Sequence, residues 1–373
     1  MSIRIGVIKE TASGERRVAL DPPTAAKLRA AGHEIIIESD AGTQAGHPDS
    51  VWSDSAAIAG SSDAFVDKLD VLLTVRRPSP ERLAELPAGC VVIGQLEPYR
   101  EFDALKQAAQ RGLRLISMEL VPRITRAQAM DVLSSQATVA GYQAVIIAAD
   151  RSPRLFPMLT TAAGTLRPAK VVVIGAGVAG LQAIATARRL GAQVEAYDIR
   201  AAAREQVESL GAKMIDTGVD AESAGGYARE LTDDERAAQA EALARHLAKA
   251  DIVISTAAIP GRPAPKIITR DMVEAMRPGS VIVDIAAETG GNCELTRLGE
   301  SIDHGGVLIE GPANLASRAA LHASEMYARN IHSLLALLIN DDGQLAINLE
   351  DEVIAGCLIS HDGQIVHERF RDL

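Results

Sequence analysis

The stretch AKVVVIGAGVAGLQAIATARRLGAQVEAYDIR, residues 169–200, decides the fold. A run of β-branched residues leads directly into Gly175, Gly177 and Gly180, and an alanine-rich segment with helical spacing follows. In that context the first glycine permits a tight turn, the second lets the backbone approach a pyrophosphate, and the third lets helix and strand pack closely. The new helix turns unsatisfied N–H groups toward negative charge. Asp198 ends the next strand, about twenty residues on, where a carboxylate accepts hydrogen bonds from adenosine ribose hydroxyls. The expectation is a dinucleotide site built from Gly175, Ala176, Gly177, Val178, Gly180, Asp198 and Ile199. A carboxylate repels a 2′-phosphate, so NAD(H) is preferred over NADP(H), and Arg200 is the one feature that softens the preference.

Outward from this stretch the same alternation continues. AQVEAYD, AKMID, DIVISTA and GSVIVDIA read as strands, with LQAIATARRLG, REQVESLG and DERAAQAEALARHLAKA as helices. An earlier series, IRIGVIKE, HEIIIES, DVLLTV, GCVVIGQL and LRLISMEL, repeats the pattern with helices such as PPTAAKLRAAG, but without glycines at its first turn. Strands alternating with helices imply parallel sheets covered on both faces. The fold class is therefore α/β: two Rossmann-like, doubly wound parallel-sheet domains. Residues 127–149 read as one long, mostly apolar helix leaving the first domain, and 317–340 as a helix returning to it. The predicted division is 1–134 plus 308–373, discontinuous, and 135–307, joined by these crossing helices. The tail, 344–367, alternates like strands joined by the turn HDGQ.

The chain has 373 residues, 47% hydrophobic and 23% charged, enough for two cores and far from the composition of a disordered chain. Aromatics are 3%, so those cores must be built from Ala, Val, Ile and Leu. A formal charge of −11 without a basic cluster argues against nucleic acid. The three cysteines, Cys90, Cys293 and Cys357, lie far apart; they suggest neither a metal site nor a disulfide framework and fit a reducing cytoplasm. The start MSIRIGVIKE has no apolar signal region, and the uncharged run 171–187 is shorter than the roughly 20 residues that cross a bilayer. No transmembrane segment is expected.

The segment PRITRAQAMDVLSSQATVAGY, 122–142, gathers Arg123, Arg126, Gln128, Asp131, Ser134, Ser135 and Gln136 without a nucleophile or a strong base. Read as a helix, it puts Gln128, Asp131 and Ser135 on one face, Ser134 on the shoulder and Arg123 in the opening loop. Such a corner either presents several polar groups to one ligand or is a crossing segment whose groups satisfy one another.

MELVPRITRAQAMDVLSSQATVAGYQAV, TTAAGTLRPAKVVVIGAGVAGLQAIATARRLGAQVEAYDIR, REQVESLGAKMI, ESAGGYARE, PGRPAPKIIT and AAETGGNCE resemble the NAD(H)-binding component, domain I, of the proton-translocating nicotinamide nucleotide transhydrogenases. The likeness covers essentially the whole chain. It implies a homodimer, peripheral on the cytoplasmic side of an inner or plasma membrane. Separate partner chains would supply a transmembrane proton-conducting region and a domain that holds NADP(H). By matching motif, Arg123, Ile124, Thr125, Gln128, Ala129, Met130, Asp131 and Ser134 fall in the family's loop around the nicotinamide ring. Tyr227 falls in a mobile loop over the nucleotide, and Gly226, Gln239 and Ala258 at further contacts. Alone, Gln239 in an alanine-rich helix reads as solvated surface.

The resemblance also explains the missing acid and base. Hydride passes directly between two nicotinamide rings, so the protein has only to bring the reacting carbons to about 3 to 3.5 Å and exclude water. Gln128 is expected to reach toward the second nucleotide, Asp131 to orient Arg123, and Ser134 to hold the carboxamide. Alanine dehydrogenase is the nearest alternative, sharing ERRVAL with Arg17. Its lysine, histidine and aspartate are expected where this chain has Arg76, Gln95 and Glu288, so a proton-moving set is missing. Arg17 is also explained by an ion pair with Glu15 or Asp21. A third reading is an NAD(H)-binding module without catalysis. The segment 315–338 is apolar enough to serve as a dimer interface.

Overall fold

The computed structural model describes residues 2–372 apart from 101, 201, 219–231 and 260, with residue 63 described by its backbone alone. The chain divides into two compact units, Met1–Gln136 with Ser317–Leu373, and Ala137–Ala316. The outgoing boundary lies two residues beyond 134/135. The return lies at 316/317 instead of 307/308, because Val307–Glu310 is a strand of the second sheet, paired parallel with Val281–Asp284. Leu315 also packs in the core of the second unit.

The first unit is built on an eight-stranded sheet. From edge to edge its order is Gln364–Ile365, Leu358–His361, Arg114–Ser117, Val91–Gln95, Val71–Arg76, Arg4–Val7, Glu34–Glu38 and Ala57–Ala59. The last six of these run parallel, and Leu358–His361 closes the edge antiparallel to Arg114–Ser117. Successive strand residues alternate between two buried cores: Ile5, Val7, Leu73, Val91 and Ile93 on one face, Leu72, Val92 and Leu115 on the other. Burial on both faces is why these strands read as continuous apolar runs.

Two expectations fail in this unit. The tail alternates only at its end, since Asp351 accepts hydrogen bonds from the N–H groups of Val353 and Ile354 and starts an α-helix, Glu352–Cys357. Most of the apolar surface of helix Ala320–Leu338 is not available to a partner: Ala323, Tyr327, Ala328, Ile331, Leu334, Leu335 and Leu338 are buried in the core of this unit, while Leu321 is exposed.

The second unit has seven strands in the order Lys213–Met214, Gln193–Tyr197, Lys170–Ile174, Ile252–Ser255, Val281–Asp284, Val307–Glu310 and Ser301–His304. All pair in parallel except the last. The strand order reverses between Lys170–Ile174 and Ile252–Ser255, and in open α/β sheets ligands bind beyond the carboxyl ends of the strands at such a switch point. The antiparallel pair 301–310 and a small exposed hairpin, Leu159–Thr161 with Gly164–Leu166, were not anticipated from the sequence.

Among the described residues one helix, Val132–Arg151, is long and apolar enough by composition to cross a membrane. Its C-terminal half is spent on the second core through Ala144, Val145, Ile147 and Ala148. Gly141 on this helix packs against the start of helix Val178–Arg189, where a β-carbon would collide with the Ala179 carbonyl oxygen. A Gly→Ala change inside a helix ordinarily stabilises by roughly 0.5–1 kcal/mol. Here the overpacking dominates, and Gly141→Ala is expected to destabilise by about 1–3 kcal/mol, read as a lower midpoint of thermal unfolding; a raised midpoint would refute the contact.

Candidate functional site

At the switch point of the second unit, a glycine turn leads from strand Lys170–Ile174 into the start of helix Val178–Arg189. Gly175 adopts φ +92°, and a β-carbon there would lie 2.6 Å from Thr256 Oγ1. Thr256 in turn donates from Oγ1 to the Gly175 carbonyl at 3.1 Å, tying the ends of the two switch-point strands together. A β-carbon on Gly180 would strike the same carbonyl oxygen. Gly177 differs: it begins helix Val178–Arg189 without a side-chain cap, and a β-carbon on it would meet nothing within 4 Å. The helix start thus has no side-chain cap and has open space beside Gly177, and an uncapped helix N-terminus is the place where an anion is received. Val178 is exposed beside it, and Ala176 is buried.

Asp198 stands at the end of the neighbouring strand. Its Oδ2 accepts from Ala176 N–H at 2.7 Å, and Oδ1 from Arg200 N–H at 2.9 Å. Burial alone raises such a carboxyl, but the Arg200 guanidinium and the two backbone N–H groups outweigh it and hold the group below the usual carboxylate range. Ile199 packs against the core face of the second sheet formed by Val172, Ile174 and Leu243. Tyr197 is buried, and its hydroxyl accepts a hydrogen bond from Gln239 Nε2 at 2.8 Å. Gln239 is therefore half-buried at the back of the acidic strand, where its own helix pattern suggested open solvent. Ala258 is exposed on the loop after Ile252–Ser255. Gly226 and Tyr227 lie outside the described residues.

One residue with no sequence signal of its own holds that loop. The fully buried Asn292 accepts from Ala257 N–H at 3.0 Å and donates to the carbonyls of Ala257 at 2.7 Å and Pro265 at 2.9 Å. Its amide acts as a strand partner for the segment that carries Ala258. Beside it, buried Asp284 accepts from Ser255 Oγ, Thr296 Oγ1 and the N–H groups of Ala286 and Cys293. The sequence pointed only to the motif GGNCE, without a role for any residue in it.

In the first unit, residues 122–136 do not form one helix. Thr125–Met130 is a 3-10 helix, Asp131 breaks it at ψ 91°, and the α-helix begins at Val132. The physical reason is a cap: Asp131 Oδ1 accepts from Ser134 N–H at 2.9 Å, and Oδ2 from Ser134 Oγ at 2.6 Å. Gln128 and Ser135 consequently belong to different elements and share no helical face. Gln128 and Arg123 are exposed, as are Thr125 and Ala129. No hydrogen bond to the Gln128 side chain occurs among the described residues. Ile124 and Met130 anchor the turn on the core. Asn330, which carried no sequence signal, donates to the Ala129 carbonyl at 2.8 Å and accepts from Ser135 Oγ at 2.7 Å.

Below this turn lies a buried polar cluster at the carboxyl ends of the first sheet. Arg17 forks onto Glu15 through Nε and Nη2 at 2.8 and 2.6 Å, and its Nη1 donates to Gln136 Oε1 at 2.8 Å. Of the two ion pairs considered for Arg17, the one with Glu15 is formed. Arg76 bridges Glu15 and Glu97 at 3.3 and 3.0 Å. Glu288 accepts from Asn314 N–H at 2.6 Å in the second unit. Glu10 accepts from Val75 and Arg76 N–H and from Thr74 Oγ1; burial raises its pKa to about 7, aided by the nearby Glu15 charge. Burial likewise raises Glu119.

The chain matches the family models "Alanine dehydrogenase/PNT, N-terminal domain" over residues 6–140 and "Alanine dehydrogenase/PNT, C-terminal domain" over 144–368. It is 45% identical to an NAD(P) transhydrogenase alpha-subunit chain of Rhodospirillum rubrum, over 98% of each chain. A solved transhydrogenase structure from Sinorhizobium meliloti superposes with a TM-score of 0.89 at 46% identity, covering 97% of this chain and 100% of that one. Alanine dehydrogenase of Halomonas elongata is more distant, 28% identical over 98% of this chain and 95% of its own.

Two outcomes follow from these networks. Asn292→Asp removes both donors and sets a carboxylate against two carbonyls; leaving those groups unpaired is expected to cost about 2–4 kcal/mol, seen in denaturant unfolding, whereas an unchanged midpoint would refute the clasp. For Glu10, a folded pKa above the unfolded value means that stability is complete below about 4.5 and declines as pH rises to about 7. The decline is on the order of 3 kcal/mol. Glu10→Gln should therefore match the native chain near pH 5 and exceed its melting temperature at pH 8; a difference independent of pH would contradict the buried, protonated carboxyl.

Proposed function

The chain belongs to the alanine dehydrogenase/PNT family, on the side of its NAD(P) transhydrogenase alpha subunits, and from that premise we propose that it is the NAD(H)-binding component of a proton-translocating transhydrogenase. The single observation that carries the reading is the cradle at Gly177, open in front of an uncapped helix start and next to the ionised Asp198. A nicotinamide dinucleotide fits these groups: N–H donors for the pyrophosphate and a carboxylate for an unphosphorylated ribose. When bound, NADH supplies a hydride to NADP+ on a partner domain.

The chain's own residues then bind, orient and exclude water. Gly175, Ala176, Gly177, Val178 and Gly180 hold the pyrophosphate, Asp198, Ile199 and Arg200 lie at the adenosine ribose, and Gln239 and Ala258 supply further contacts; by family motif Gly226 and Tyr227, outside the described residues, belong to the loop over the nucleotide. Arg123, Ile124, Thr125, Gln128, Ala129, Met130, Asp131 and Ser134 surround the nicotinamide end. The Asp131 cap fixes Ser134 and the start of the long helix, while Gln128, exposed on its short 3-10 turn, reaches toward the second nucleotide. No group has to take a proton from substrate, which agrees with the arginines, carboxylates and Gln136 that make up the first-unit cluster. The same composition speaks against amino-acid oxidation, whose substrate carbon must lose a proton. In the assembly the chain is a homodimer, docked at the cytoplasmic face of the membrane on proton-conducting partner subunits that couple transfer to proton movement.

The test is reconstitution. Mixed with a purified NADP(H)-binding domain, the chain should transfer hydride from NADH to an NADP+ analogue and show no turnover with alanine or pyruvate; turnover with an amino acid would overturn the assignment. Gln128→Ala should slow transfer by about tenfold or more while changing the NADH dissociation constant less than about threefold. An equal loss in both would make Gln128 a binding residue only.

A further inference from the structure

The carboxylate that would receive the adenosine ribose is already taken by the chain itself. Arg200 donates to Asp198 Oδ1 from its backbone N–H at 2.9 Å and from Nε at 2.9 Å, and to Oδ2 from Nη2 at 3.0 Å. Ala176 N–H occupies Oδ2 as well, at 2.7 Å. A carboxylate has about four acceptor positions, and these four donors use them. The guanidinium also extends to the glycine turn, where Nη2 lies 3.4 Å from the Ala176 carbonyl. It thus spans the ground between the acidic residue and the cradle, over which the adenosine end must pass.

The four donors are not equally replaceable. Two are backbone N–H groups, fixed by the glycine turn and by the loop after the strand. The other two belong to a side chain that is 26% exposed, on a carboxylate that is 7% exposed. A guanidinium on a flexible stem, at the solvent side of a buried acceptor, is the component of this arrangement that a ligand can move. Ribose hydroxyls are donors of the kind that would replace it.

We propose that Arg200 is a built-in competitor of the coenzyme, seated on Asp198 in the free protein and displaced by the adenosine ribose of NAD(H). The inference rests on the NAD(H) reading and adds to it what sets affinity. A site whose binding-competent form is a fraction of the population binds more weakly by that fraction. A ligand whose ribose lacks the hydroxyl donors has nothing with which to displace the guanidinium. A 2′-phosphate can draw Arg200 off, but it then faces the exposed negative charge of Asp198. Arg200 therefore softens discrimination against NADPH without reversing it.

Arg200→Met keeps an unbranched apolar stem and removes the donors, so titration of NADH fluorescence should show a dissociation constant about tenfold lower than that of the native chain, with most of the change in the association rate. NADPH should bind more weakly to the variant than to the native chain. In an Asp198→Asn background the same Arg200→Met change should have no effect on NADH, since the seat in contention is gone. Arg200→Gln serves as a second uncharged variant, expected to shift NADH affinity in the same direction, and circular dichroism of each variant establishes that it is folded. An NADH affinity for both uncharged variants that is equal to or weaker than native would overturn the proposal, since Arg200 would then be a spectator or a direct ligand of the coenzyme. Failure of the native chain to bind NADH would overturn the NAD(H) reading itself, a separate result.

Discussion

At the switch point of the second sheet, backbone meets backbone. The helix that starts at Val178 can approach the strand that ends at Ile174 only because residue 180 has no β-carbon to strike the Gly175 carbonyl, and Gly175 can turn only with its positive φ. The same absence of a side chain at Gly177 leaves room in front of the helix start. One constraint thus sets helix position, strand spacing through Thr256, and the open space at the helix start together. On the opposite side of that helix, Gly141 permits a second close approach, on the Ala179 carbonyl. The N-terminal turn of the helix is held from both sides by residues that lack bulk.

The first unit solves a different problem with the same sheet order. Its strand ends carry buried carboxylates and arginines in place of a glycine turn, and burying charge is costly unless every partner is satisfied. The fork of Arg17 on Glu15, the bridge through Arg76, and the Gln136 amide meet that requirement. For Glu10 burial raises the carboxyl to about 7, which eases the cost by favouring its neutral form below that pH. Gln136 also donates to the Ala323 carbonyl, so the cluster fixes the start of the long helix that carries Ser134 and Ser135. Rigid support of this kind fits the role proposed for the residues of the 3-10 turn, to orient a ring without exchanging protons with it.

Much of this was readable in the chain. The glycines and Asp198 announce themselves because their spacing follows from the geometry of one strand, one turn and one helix. The central strands of each sheet, Val71–Arg76 and Val91–Gln95 in the first and Lys170–Ile174, Ile252–Ser255 and Val281–Asp284 in the second, are mostly apolar runs, the mark of parallel sheets buried on both faces. The reading failed where a single capping group outweighs periodicity. Asp131 divides an apparent helix by accepting from Ser134, and Asp351 starts a helix in a segment that alternates like a strand. It failed again with the helix Ala320–Leu338, whose apolar face looked available for a partner and is mostly consumed by its own core.

What the sequence determined alone is therefore local: turn chemistry, helix starts, strand identity, and with them a dinucleotide fold and its family. Tertiary structure decided which groups are free. Asp198 reads in sequence as an open acceptor, yet three donors of Arg200 and the Ala176 N–H converge on it. Asn292 and Asn330 have no sequence signal, and each holds a segment of backbone by its carbonyls. The reason is physical. Backbone conformation depends on neighbours a few residues away, whereas the occupancy of a hydrogen-bonding group depends on residues as far off as Asn330 is from Ala129, which only the folded chain brings together.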